Sequence, residues 1–201
     1  MNSVLLQSGL LAQALPVLLH KLANQTQLIT GFHAILRMEG GESLVESRSH
    51  DLIQAGHNVE QVGWLLAALS SGAGHNLMLA RREPRGLIWT VDLVDEILRK
   101  QGIEPPGFGQ SLPGLTSHAP KGWLLPWVLG CMLFETYREG GNAPAWTLEA
   151  SNGGEWRLRL PMRPETTTDM ARFAANLGEA RWEPSEGCLT FPAAWLQPSR
   201  A

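Results

Sequence analysis

Apolar residues return every three or four places between Ser3 and Met38, at Leu6, Leu10, Leu11, Leu15, Leu18, Leu19, Leu22, Ile29, Phe32 and Leu36. That spacing predicts a helix with one broad apolar face. Pro16 lies inside the run, so either a helix begins there or a longer one kinks, because the ring removes a backbone donor. Gly40-Gly41 stops the pattern. A second run through Leu44, Val45, Leu52, Ile53, Val59, Val62, Leu65, Leu66 and Leu69 predicts a helix over about 42–69, closed by Ser70-Ser71-Gly72. The two segments form a helical hairpin. Two antiparallel helices cannot cover apolar faces this wide, whereas four around a common axis can. A homodimer pairing two hairpins is therefore expected, and the alternative cover is the C-terminal half of the same chain.

After Gly74 the pattern changes to mixed elements. Short strand-like runs span Asn76 to Ala80 and Gly86 to Trp89, and a helix is predicted from Thr90 to Lys100. Pro and Gly crowd the stretch from Gly102 to Lys121, which reads as a loop or irregular strand. An apolar helix follows from Gly122 to Glu139, then two strands in hairpin order, Ala145 to Ala150 and Glu155 to Leu160, around Ser151-Asn152-Gly153-Gly154. A helix from Thr166 to Leu177 and a final hairpin, Glu179 to Trp182 with Gly187 to Phe191, complete the order. The whole reads as α+β. Residues 1–72 form a dimerising hairpin and residues 73–201 a two-layer α/β sandwich.

Composition narrows the function. An apolar content of 44% is that of a globular chain with a core. With 16 basic and 19 acidic residues the net charge is -3, which leaves no electrostatic footprint for nucleic acid or an anionic membrane. Cys131 and Cys188 stand at no metal-ligand spacing and are expected as reduced, buried thiols. The apolar start of the chain resembles a secretion signal but has no Lys or Arg before Lys21, and Gln7, Ser8 and Gln13 interrupt it. It reads as helix, no stretch is apolar for long enough to span a membrane, and a cytoplasmic location is expected.

Within the first helix one segment carries chemistry: His20, Lys21, Leu22 and Asn24, then Ile29, Gly31, Phe32 and Leu36. Both this spacing and the order of elements from about Leu15 to Leu196 resemble the dimerisation and catalytic halves of bacterial sensor histidine kinases. In that family the phosphoacceptor histidine is followed by an acidic residue, Leu, any residue, Asn or Thr, Pro and Leu, and later by Ile, Gly, an aromatic residue and Leu. Here Lys21 replaces the acidic residue, Gln25 the proline and Thr26 the leucine.

The second half matches that family in layout and departs from it in chemistry. Where the kinases carry two asparagines that help hold Mg-ATP, this chain has Cys131 and Glu135. A thiol is a poor partner for magnesium phosphate, and a carboxylate repels triphosphate. The strand that should lead into the Asp and glycines of the nucleotide motif runs into Pro161-Met162-Arg163-Pro164, and Gly153-Gly154 falls in a hairpin turn. The resemblance implies a degenerate ATPase-like domain without ATP binding and a dimeric histidine phosphotransferase. It would pass a phosphoryl group between receiver-domain aspartates through His20, with magnesium held only by the receiver. The other function it implies is a non-catalytic dimer that binds a response-regulator receiver domain, or a histidine kinase, as a regulator. A working kinase with a divergent site is the third reading.

Phosphoryl transfer needs an in-line nucleophile and stabilised negative charge, and a neutral imidazole near its usual pKa of about 6.5 serves as that nucleophile. Lys21 would favour neutral His20 by charge repulsion and attract phosphoryl oxygens. Asn24, one turn on, shares the face of His20 and can touch the phosphoryl group or the partner. His50 and His57, seven apart on the second helix, together with His33 on the first, are a weaker set for a metal. The eight tryptophans are expected in the core rather than around a ligand.

Overall fold

The computed structural model describes residues 9–38, 40–71, 86–104, 115–117, 124–138, 145–151, 153–161 and 167–198. Helix α1 spans Gly9–Leu36 and runs through Pro16 without ending. It turns back at Gly40, whose φ of 73° is left-handed. At Gly41 a Cβ would sit 1.9 Å from the Ile35 carbonyl oxygen, so only glycine lets the chain pass. The expected second helix is interrupted. Helix α2 (Gly41–Ser47) ends at Arg48, whose φ of −112° and ψ of 18° break the run before α3 (Ser49–Ser71).

Helix α4 spans Gly86–Lys100, which corrects the strand expected over Gly86 to Trp89. Leu87, Val91, Val94 and Leu98 share one buried helical face, and this period continues unbroken through the segment read as strand. Strand β1 (Leu115–Ser117) lies in the region read as loop or irregular strand. Helix α5 is Leu124–Tyr137, β2 is Thr147–Ser151, β3 is Glu155–Arg159 and α6 is Thr167–Ala175. Strands β4 (Arg181–Glu183) and β5 (Cys188–Pro192) are followed by a 3-10 turn, Ala193–Trp195, and by β6 (Leu196–Pro198). The strand expected at 76–80 and the junction expected at 72/73 lie outside the described residues.

Four strands form an antiparallel sheet in the order β2-β3-β5-β4, and β1 pairs separately with β6. Ser151 and Gly154 close the β2-β3 turn, with the Gly154 N–H donating to the Ser151 carbonyl at 3.2 Å and Gly154 at a φ of 76°. Gly153-Gly154 is thus a hairpin turn, as its position in the sequence suggests. Alternation sets the two faces of the sheet. Leu158, Leu189 and Phe191 point into the core, while Arg157 and Arg159 are exposed on the other face, where Arg159 pairs with Glu186 at 3.4 Å.

All fourteen residues of α5 are buried. Helices α4, α1 and α6 pack against it, and residues of the inner sheet face join it in one apolar cluster. Leu10, Ala14 and Leu18 of α1 and Val62, Trp64 and Leu65 of α3 belong to the same cluster. Complete burial of each leucine contributes about 1.5–3 kcal/mol. The hairpin therefore packs in part on its own C-terminal half, the alternative cover raised by the sequence. Its other half does not: Leu28, Ile29, Leu36, Leu52 and Ile53 are exposed. Both cysteines are buried and neither is in a disulfide, as expected.

Candidate functional site

At about 100° per residue, His20, Asn24, Gln27 and Gly31 fall on one face of α1, and all four are exposed. Leu10, Ala14 and Leu18 lie about a third of a turn round the helix from that face and are completely buried, so packing of the apolar face fixes the direction of the histidine. The Asn24 amide Nδ2 is 3.3 Å from His20 Nε2. This is a donor–acceptor pair when the ring proton sits on Nδ1, and in that tautomer Nε2 carries the lone pair a nucleophile needs.

Lys21 points elsewhere. Its ammonium pairs with Glu96 of α4 at 2.5 Å, and Glu96 also takes Lys100 at 2.9 Å. Burial favours the protonated acid at Glu96, yet hydrogen bonds and charge from Lys21 and Lys100 outweigh it and hold the carboxyl below the usual glutamate range. One turn earlier, Asp92 lies above its ordinary value, because its packed surroundings desolvate it and Asp95 repels it, with Lys21 opposing. Asp95 is itself paired with Arg99 at 2.7 Å. The structure thus brings His20 and Asn24 together and turns Lys21 onto a charged stripe of α4. The Glu96–Lys100 pair was readable as an i,i+4 spacing. Its meeting with Lys21 depends on how α1 and α4 pack, which no local pattern encodes.

Nearly opposite the histidine face runs a second stripe: Leu15, Leu19, Leu22, Thr26, Ile29, His33 and Leu36, spaced alternately by four and three. Leu15 is 47% exposed, Leu19 52%, Ile29 42% and Leu36 49%. Lys21 is the single Asp, Glu, Lys or Arg between Gly9 and Leu36. On α3 the same spacing selects Leu52, Gly56, Val59, Gly63 and Leu66. A Cβ at Gly56 or Gly63 would meet nothing within 4 Å. Each glycine costs a helix about 1 kcal/mol relative to alanine.

The two positions expected to hold nucleotide in a kinase are used internally. Cys131 is buried completely. Glu135, 6% exposed, accepts a hydrogen bond from the Gly9 N–H at 3.2 Å and pairs with Arg138 at 2.9 Å. On the same helix, Gly130 faces Leu10, Thr90 and Val94, so α1 and α4 lie directly over α5.

Other candidates from the sequence sort plainly. His57 lies 3.8 Å from Glu60 at the next turn, and among the described residues no three His, Cys, Asp or Glu gather as a metal site. Trp64, Trp127, Trp146 and Trp195 are buried, and Trp89, Trp156 and Trp182 pack against the core, which agrees with structural use. Trp64 and Trp89 meet edge to face at 5.8 Å. No described helix is long and apolar enough to cross a membrane. Comparison of the chain with protein-family models, curated proteins and solved structures returns no match.

Proposed function

We propose that this chain is a histidine phosphotransferase of a two-component phosphorelay, working as a cytoplasmic homodimer and taking its phosphoryl group from a receiver domain. One observation carries the reading: an exposed histidine on a helix anchored by the core, with the Asn24 amide at its Nε2. In the transfer, Nε2 attacks phosphorus in line, the N–P bond forms and the O–P bond to the receiver aspartate breaks. The aspartate leaves as carboxylate, and the Nδ1 proton passes to water. Asn24 must release Nε2 for the attack, a small cost for an exposed contact of 3.3 Å. The receiver domain supplies the magnesium, so the reaction asks of this chain only exposure and orientation.

Two further features support the reading. The α5 positions that would serve a nucleotide are occupied by this chain's own contacts, Glu135 with Gly9 and Arg138 among them, which favours an outside phosphoryl donor over ATP. The apolar, charge-poor stripes of α1 and α3 favour a second copy. Exposed surface ordinarily carries about 25–35% charged residues, and depletion of charge with exposed aliphatic groups is the composition of an interface core. Pairing two hairpins along these stripes completes four helices, leaves His20 on the outer face, and gives Gly56 and Gly63 a close neighbour.

Incubation with a phosphorylated receiver domain is expected to label the wild-type chain and not His20→Ala. Equal labelling of both would remove the proposal. The Asn24 contact at Nε2 also favours a second reading, a non-catalytic dimer that binds a receiver domain or histidine kinase as a regulator. Binding undiminished in His20→Ala, with no phosphohistidine formed on the wild type, would establish that reading instead.

A further inference from the structure

We propose that Glu96 is a positioning residue that holds the Lys21 ammonium in reserve beside His20, and that a phosphoryl group arriving on His20 draws Lys21 away from Glu96. This exchange rests on the phosphotransfer proposed above. Its physical basis is the arrangement of charges around one lysine. Lys21 is the lone formal charge of α1, and it is not solvated freely but paired with Glu96, with both side chains about a third exposed. Glu96 does not depend on Lys21, because Lys100 reaches it from the next turn of α4 at 2.9 Å. When Lys21 leaves, the carboxylate keeps a cation.

Phosphorylation changes the competition. A phosphoryl group on imidazole adds up to two negative charges and three acceptor oxygens one residue from Lys21. Adjacent helical residues point about 100° apart, yet a four-carbon stem can swing its ammonium around that arc. The exchange is thus between two partly solvated partners, each holding the lysine only weakly against water, and the dianion decides it. The consequence is a phosphohistidine stabilised by a cation that the free histidine does not feel.

Either residue can be changed to break the same ion pair, which makes a strict test. The full chain is phosphorylated with phosphoramidate, which transfers its phosphoryl group to histidine with loss of ammonia and needs no receiver. The His20 resonance is identified by its loss in His20→Ala and its 31P shift is titrated against pH. A nearby cation favours the dianion, so Glu96→Gln, which frees Lys21, lowers the phosphoryl midpoint by a few tenths of a unit. Lys21→Gln raises it by a similar amount, and the double variant follows Lys21→Gln. A role confined to holding α1 against α4 would move both single variants in the same direction, and that result overturns the proposal, as does an unchanged midpoint in Glu96→Gln or a His20 that takes no label. Circular dichroism confirms that each variant is folded. A chain labelled by phosphoramidate but by no receiver domain would remove the relay reading alone, leaving the exchange to be judged by the titration.

Discussion

Glu135, a buried carboxylate on an otherwise apolar helix, accepts the Gly9 N–H and pairs with Arg138, and so ties α5 to the described start of α1. Its truncation leaves a part-buried donor unsatisfied, so Glu135→Ala should destabilise the chain by about 2–3 kcal/mol in urea titration, and Glu135→Gln by about half of that. Gly130 makes an independent test of the same contact. A Cβ there would sit 2.6 Å from Thr90 Cγ2 and 3.3 Å from Leu10 Cδ2, both held in packed helices. Gly130→Ala should cost about 1–3 kcal/mol by overpacking, measured by the same titration. Two titrating groups bound stability against pH. Tyr137 is pushed up to about 12 by burial, against a hydrogen bond from the Trp146 backbone. Its raised value means that the stabilisation is complete below about 10, where the unfolded phenol starts to ionise, and is lost as pH rises towards 12. Glu96 acts in the opposite direction: its lowered value stabilises the fold above the ordinary glutamate range and the benefit fades as pH falls below it. Thermal melts across both limits should show a plateau between them.

At the scale of elements, much of the order was legible. The β2-β3 hairpin, the β4-β5 hairpin and α5 lie within a few residues of the spans that alternation, turn residues and apolar runs indicate. What was missed has local causes. Ile88 and Trp89 after a glycine look like a short strand, and only the period running from Leu87 to Leu98 places them in α4. Arg48 carries no Gly or Pro signal, so the break between α2 and α3 was silent. The β1-β6 pairing joins segments about eighty residues apart, and a three-residue strand has too little pattern to announce its partner. Of the candidate site, His20 and Asn24 were readable because i and i+4 meet on any helix. Glu96 was not, since its approach to Lys21 is set by the packing of α1 on α4. The unpartnered stripes make their own prediction. Leu19→Glu places a charge on the α1 stripe without touching the core, so sedimentation should show monomer where the wild type is dimer, with an unchanged helical signal. A wild-type chain that sediments as monomer would contradict the four-helix pairing.

For the whole molecule, the physical picture is a hairpin used twice. Its first turns and the end of α3 are anchored in the core around α5, while the exposed aliphatic stripe follows another face of α1 from Leu15 to Leu36. His20 lies just past Leu18, the last completely buried leucine of α1, where the helix is held firmly and its outer face is open. That placement suits a nucleophile that must be rigid yet reachable. It also sets His20 apart from α5, whose surface is taken up by the chain itself. Whether the phosphoryl group comes to His20 from a receiver aspartate is decided by mixing the wild-type chain with a receiver domain that carries labelled aspartyl phosphate and locating the transferred label by peptide mass spectrometry. The expected result is an acid-labile, base-stable label on the peptide containing His20, absent in His20→Ala; a label that never leaves the receiver, or that leaves it for another residue, would show that His20 is not the acceptor.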